Sequence, residues 1–310
     1  MCHLGLLTAL ADYPEKTIRL IVPFPAGGGA DAVARLVADR LSLRLDQTVV
    51  VDNRAGANGI VGLQALMQAP PDGYTIAVAA AGPMAVNPSL YEKLPYDSLK
   101  DFSYITNMVI FPLILVTHPS VPAKTTQDLI NLAKAKPKQL FYGTPGSGNS
   151  AHLAGELLNS MANVQTVHVP YKGAVQAITD VMGGHVDSMF IASAAAIPQV
   201  KAGKVRALGV ASPRRAAALP DVPTFAESGY AGVEVDSRFG LVAPAATPRE
   251  VIQRLHAAMV KGLAAPDVRE RYQAMGMEAV VITPQEFADL MRNELVKLRK
   301  VVAAARLPLL

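Results

Sequence analysis

From Thr17 onward, short β-branched runs alternate with longer stretches in which apolar residues recur every three or four positions. Strands send alternate side chains to opposite faces, whereas helices return to one face at i+3 and i+4, so the two periods separate the elements. TIRLIVP (Thr17 to Pro23) reads as a strand. The segment from Ala30 to Asp46 then sets Val33, Leu36, Val37, Leu41 and Leu45 on one helical face. VVVD (Val49 to Asp52) is the next strand, followed by a helix near Ile60 to Gln68, the strand YTIAVA from Tyr74, and an extended stretch from Phe102 to Val116. A helix from Thr125 to Ala135, LFYG, a helix after Asn149, TVHV, a helix after Gly173, VDSMF, a helix ending near Ala202 and VRALGVA continue the series. Two terminal helices are expected. One carries Val251, Ile252, Leu255, Met259 and Leu263 on a single face, the other Phe287, Leu290, Met291, Leu295, Leu298, Val301 and Val302. This alternation predicts an α/β fold of mostly parallel sheets with helices on both faces.

The 310 residues suggest two domains at roughly 150 residues each. VIFPLILVTHP (Val109 to Pro119) and SRFGLVAPAATP (Ser237 to Pro248) are strand-like and end in proline, and the chain is expected to cross between domains there. Residues 12–112 with 240–310 then form one lobe and 113–239 the other, with a cleft between them. The first eleven residues, MCHLGLLTALA, are apolar and end in small residues before Asp12, which reads as the remnant of an export signal and hence a periplasmic location. They carry no Lys or Arg and only seven apolar residues in a row, so the competing reading is the apolar N-terminus of a cytoplasmic protein.

Composition narrows the choice. Hydrophobic residues make up 51% and charged ones 17%, against about 25% charged in a typical chain, so a large core can form and disorder is excluded. The formal charge of +4, from 29 Lys plus Arg and 25 Asp plus Glu, is too mild for a nucleic-acid binder. No apolar run reaches the ~18 residues of a membrane span. The single cysteine, Cys2, excludes an internal disulfide framework and a Cys-rich zinc site.

The glycines carry the chemistry. TIRLIVP leads through FPAGGGAD into a helix, and LFYG leads through TPGSGNSAH into another, so each half has a glycine-rich strand-to-helix turn. A helix N-terminus presents unpaired N–H groups and a partial positive charge, and glycine lets a ligand approach the backbone. Two such turns facing one cleft would clamp an anion. Nucleotide readings compete: Gly27, Gly29 and Ala32 fit a relaxed G-x-G-x-x-G/A pattern with Asp52 after the next strand, which would make an NAD-dependent α/β enzyme. Against it, Pro23 and Pro25 lengthen a turn that must be tight. GTPGSGNS resembles a phosphate loop but has Asn149 in place of its lysine. There is no G-x-S-x-G elbow and no H-E-x-x-H, so no catalytic residue is assigned, and no cofactor is called for. His152 and Glu156 could share a metal, yet two ligands do not define a site, and a polar helix pair is the simpler account; no metal site is assigned. Tyr171-Lys172-Gly173 opens another helix and reads equally as an anion aid or a solvated turn. Asp31 is expected to cap the first helix.

The segments YPEKTIRLIVPFPAGGGADAVAR, VVVDNRAGANGIVG, PPDGYTIAVA, GSGNSAHLAGELL, VHVPYKGAVQAITDVMGGHVD and AGKVRALGVASPRRAAALPDVPTFAESG resemble the Bug (TctC-type) receptors of tripartite tricarboxylate transporters, from about Tyr13 to the C-terminus. The resemblance implies a monomeric, two-lobed Venus-flytrap protein of the periplasm that delivers a small mono- or dicarboxylate to membrane permease subunits without catalysis. It also admits a non-transport sensory binder. By the same resemblance, ligand contacts fall on Phe24, Ala26, Gly27, Gly28, Gly29 and Asp31 in the first loop, and on Thr144, Gly146, Ser147, Gly148, Asn149 and His152 in the second. The loops at Ala80 to Met84, including Ala81, and Ile191 to Ala194, including Ser193, are expected to line the rest. The family pattern usually has Trp where this chain has Arg238, in SRFGL. Arg238 either reads a second carboxylate or points outward while Phe239 packs.

Overall fold

The computed structural model describes residues 13–235 and 237–304. The expected export remnant, with Cys2, falls outside the described residues.

The strands are β1 (Ile18–Val22), β2 (Val49–Asn53), β3 (Thr75–Ala80), β4 (Phe102–Phe111), β5 (Leu113–Thr117), β6 (Phe141–Thr144), β7 (Val167–Pro170), β8 (Ser188–Ala192), β9 (Arg206–Ala211), β10 (Ser237–Pro244) and β11 (Glu278–Ala279). They form a six-stranded sheet, β11-β4-β10-β3-β1-β2, and a five-stranded sheet, β7-β6-β8-β5-β9. Both sheets are mixed. In the first, β1 runs parallel to β2 and β3, while β10 is antiparallel to β3 and β4. In the second, β6 runs parallel to β7 and β8, and β5 is antiparallel to β8 and β9. The strand-helix units build the parallel halves. Antiparallel pairing occurs at the strands where the chain passes between sheets and at the short β11 beside β4: β4 ends at Phe111, Pro112 breaks the ladder because it has no N–H to donate, and β5 begins in the other sheet at Leu113.

The helices are α1 (Gly29–Leu45), α2 (Ile60–Met67), α3 (Asn87–Leu90), α4 (Thr126–Ala135), α5 (Ser150–Ala162), α6 (Ala174–Met182), α7 (Ser193–Lys201), α8 (Arg249–Leu263), α9 (Pro266–Ala274) and α10 (Pro284–Ala304). All five apolar residues assigned to one face of α1 are buried, and α1 packs against α8. α8 and α10 both return to β4 of the first sheet. The α9 helix was not legible from the pattern: it buries little beyond Val268 and Tyr272, and Pro266 at its start supplies the local signal.

Phe287 of α10 lies directly on the backbone of β10 at Gly240. A methyl group there would overlap the phenyl ring and come within 2.9 Å of the Thr106 carbonyl oxygen. Gly240→Ala is therefore expected to cost about 2 kcal/mol by overpacking, read as a lower urea midpoint at unchanged m-value.

Candidate functional site

The two glycine-rich turns come together. A cavity of about 380 Å³ lies between the sheets, walled by Phe24 to Ala26 and Gly28 to Ala30 from the first and by Pro145 and Asn149 to Ala151 from the second. The first intrahelical bond of α1 runs from the Ala32 N–H to the Gly28 carbonyl, and no side chain caps its start. The amides of Gly28, Gly29 and Ala30 are thus left at the cavity wall without helical partners. In α5 the Asn149 side chain accepts from the His152 N–H at 3.0 Å, and Leu153 N–H bonds the Asn149 carbonyl. That leaves Ser150 and Ala151.

A third helix start joins them. Lys172 and Gly173 with the first three residues of α6 line the same cavity, and α6 has no side-chain cap. Tyr171-Lys172-Gly173 therefore lies beside the cavity; its tyrosine hydroxyl bonds Asp180 Oδ2 at 2.7 Å instead of facing in. The rest of the wall is largely apolar, with Ala81, Phe111, Leu113, Ile191 and Phe239, and includes Ser237. The rings of Phe111 and Phe239 lie 4.7 Å apart between centroids, tilted by 41°. Among the described residues, the charged ones on the wall are Lys172 and Arg238, both cationic. Such a site suits an anion with an apolar body.

Of the residues expected to touch ligand, Phe24, Ala26, Gly28, Gly29, Ala81, Asn149 and Arg238 line the cavity. Gly27, Asp31, Thr144, Gly146, Ser147, Gly148, His152 and Ser193 do not, and most of them shape the turns. Gly27 has φ +83, and its N–H donates to Asp31 Oδ2 at 3.0 Å. Asp31 is not the cap of α1, a position Gly28 holds; it sits in the first turn and reaches back to the chain before it. Arg35 Nε and Asn53 Nδ2 also donate to it, each at 3.0 Å. Burial pushes the Asp31 carboxyl up, but the bonds from Arg35, Gly27 and Asn53 outweigh it and hold it below the usual carboxylate range.

The second turn repeats the device with a different side chain. Gly148, at φ +76, donates its N–H to His152 Nδ1 at 3.1 Å, again four residues on. His152 stacks on His168 at 3.9 Å, and His168 Nε2 lies 2.7 Å from Thr144 Oγ1. Burial lowers the His152 pKa to about 4; burial, then the neighbouring His152, lowers that of His168 to about 3. Both rings are neutral at pH 7, which lets His152 Nδ1 accept. Ser193 Oγ instead donates to the Gly276 carbonyl at 3.0 Å, tying α7 to the loop after α9.

The competing motifs are occupied elsewhere. Asp52 pairs with Arg54 Nε at 2.7 Å and is absent from the cavity wall. Glu156 accepts from the Tyr142 hydroxyl, apart from His152. Among the described residues, no group of three or more His, Cys, Asp or Glu is placed to hold a metal, and no helix is long and apolar enough to cross a membrane.

A family model described as the tripartite tricarboxylate transporter family receptor, TctC, matches residues 33–307. A UPF0065 protein from the tcbD-tcbE intergenic region of Pseudomonas sp. (strain P51) is 38% identical, covering 96% of this chain and 89% of its own length. An R. palustris protein solved with adipate superposes with a TM-score of 0.92 at 33% identity, over 95% of this chain and 98% of that one. The periplasmic binding protein BugD does so with a TM-score of 0.91 at 33% identity, over 96% and 99%. The fold is thus the two-lobed α/β fold of periplasmic binding proteins. With the receptor model matched from Val33 to Leu307 and relatives above 30% identity across more than nine-tenths of its length, the chain belongs to the tripartite tricarboxylate transporter receptor family, TctC.

Proposed function

We propose that this protein is a periplasmic receptor that captures a small carboxylate between its lobes and passes it, chemically unchanged, to membrane permease subunits. One observation carries the reading: uncapped first-turn amides from helices of both sheets meet in one cavity whose wall, among the described residues, has cationic but no acidic side chains. Each helix start favours a nearby negative charge by about 0.3 to 1 kcal/mol, more where water is excluded. A carboxylate held by amides of both lobes stabilises the closed arrangement over the open one, because only the closed form offers both sets of donors. The lobes move about the crossings at Pro112 and ahead of Ser237, and the monomer suffices as the binding unit. The adipate found in the R. palustris relative is consistent with this chemistry.

Thermal unfolding in the presence of mono-, di- and tricarboxylates and of NAD tests the proposal. A ligand at ten times its Kd adds about 1.4 kcal/mol of stability, a shift of a few degrees. At least one acid should give it. Stabilisation by NAD with no response to any acid would overturn the reading in favour of a nucleotide enzyme.

A further inference from the structure

Arg238 lies at the end of the cavity wall contributed by β10, with its side chain nine-tenths buried. Among the described residues its charged partner is Glu294 of α10, whose Oε1 is 3.8 Å from an Arg238 terminal nitrogen, too far for a hydrogen bond. Arg238 Nε is buried and has no hydrogen-bond partner among the described residues. A guanidinium carries five donors in a planar fork, and leaving them desolvated and unmatched is costly. Glu294, itself nearly buried, offsets part of the charge and holds the side chain beside the cavity without filling its donor sites. The cavity wall also carries the apolar side chains of Phe24, Ala81, Phe111, Leu113, Ile191 and Phe239, a surface for the hydrocarbon part of a ligand.

Building on the carboxylate reading, we propose that Arg238 is a specificity-determining residue that receives the second carboxylate of a dicarboxylic acid. One carboxylate rests on the helix-start amides, the hydrocarbon lies along the apolar wall, and the far carboxylate takes the guanidinium fork in a bidentate pair. A monocarboxylate leaves the fork empty.

Calorimetric titration of the diacids from succinate to suberate, each beside the monoacid of equal chain length, tests this. The best diacid should bind wild-type protein about thirtyfold more tightly than its monoacid, the ratio set by a charge-assisted bond. Arg238→Met should abolish that preference by weakening the diacid far more than the monoacid, while Arg238→Lys keeps part of it. Ligand-free melting checks the fold of each variant. If Arg238→Met does not fold, the pair Arg238→Met with Glu294→Gln removes the stranded carboxylate and should give the same loss. Equal affinity for diacid and monoacid in the wild type, or equal losses for both in a folded variant, would overturn the proposal. Monoacid binding without diacid preference leaves the carboxylate reading standing; failure of every acid to bind removes both.

Discussion

Replacing Gly173 by valine should weaken ligand binding by roughly 5- to 150-fold while leaving the melting point of the ligand-free protein nearly unchanged. Gly173 has φ 170, an extended backbone that valine adopts without strain. A Cβ built there would lie 2.9 Å from Pro25 Cγ and 3.4 Å from Pro25 Cδ, and its three nearest atoms all belong to that proline. Pro25 stands on the first-sheet turn and Gly173 at the start of α6 on the second sheet, so the clash arises only where the lobes meet. A proline ring cannot swing aside. Overpacking of this kind costs about 1 to 3 kcal/mol, and here the cost falls on the closed form alone. Since apparent affinity scales with the population of the competent form, the loss is roughly 5- to 150-fold. Valine at Gly82 should act in the same direction from the opposite side, because a Cβ there would meet the Asn149 backbone at 3.4 Å. Titration and melting of Gly173→Val decide the matter. Unchanged affinity would show that the lobes do not close on this contact, and a large fall in melting point would place the clash within one lobe.

Acidification from pH 6.5 to 4 should remove on the order of 3 kcal/mol of stability through His152 alone. Its ring titrates near 6.5 in the unfolded chain but is held down to about 4 in the fold by burial. Above pH 6.5 the ring is neutral in both states and contributes no pH dependence. Below it the unfolded chain takes up a proton that the folded protein refuses, so stability falls until the folded ring titrates. His168, lowered by burial and by His152, adds to the loss in the same direction. Protonated His152 can no longer accept the Gly148 N–H, so the second binding turn should loosen over the same range. His152→Asn keeps an acceptor near the Nδ1 position and removes the titration. Urea midpoints across this pH range should therefore fall less steeply for the variant than for the wild type; parallel curves would show that His152 does not titrate this way.

Local spacing determined a great deal. The β-branched run of β1, the single buried face of α1 and the two glycine-bearing turns follow from neighbours a few residues apart, so their presence and type were legible in the chain itself. The same spacing showed that Gly28, Gly29 and Asn149 sit where helix amides are exposed. It could not show that Gly27 and Gly148 serve their turns through Asp31 and His152, since either side chain could equally have faced a ligand. Nor did it show that Ser193 would spend its hydroxyl on Gly276, eighty-three residues away. The mixed pairing of both sheets, the enlistment of α6 at the cavity, and the walls formed by Phe111, Leu113 and Phe239 arise where the chain crosses between sheets. Arg238 is the sharpest case: a strand residue with no local reason to face either way. Its burial beside Glu294 and the cavity was decided by α10 packing back onto the first sheet. Local periodicity fixes which backbone groups are available. Only the approach of the two lobes, which has no short-range signature, fixes what they surround.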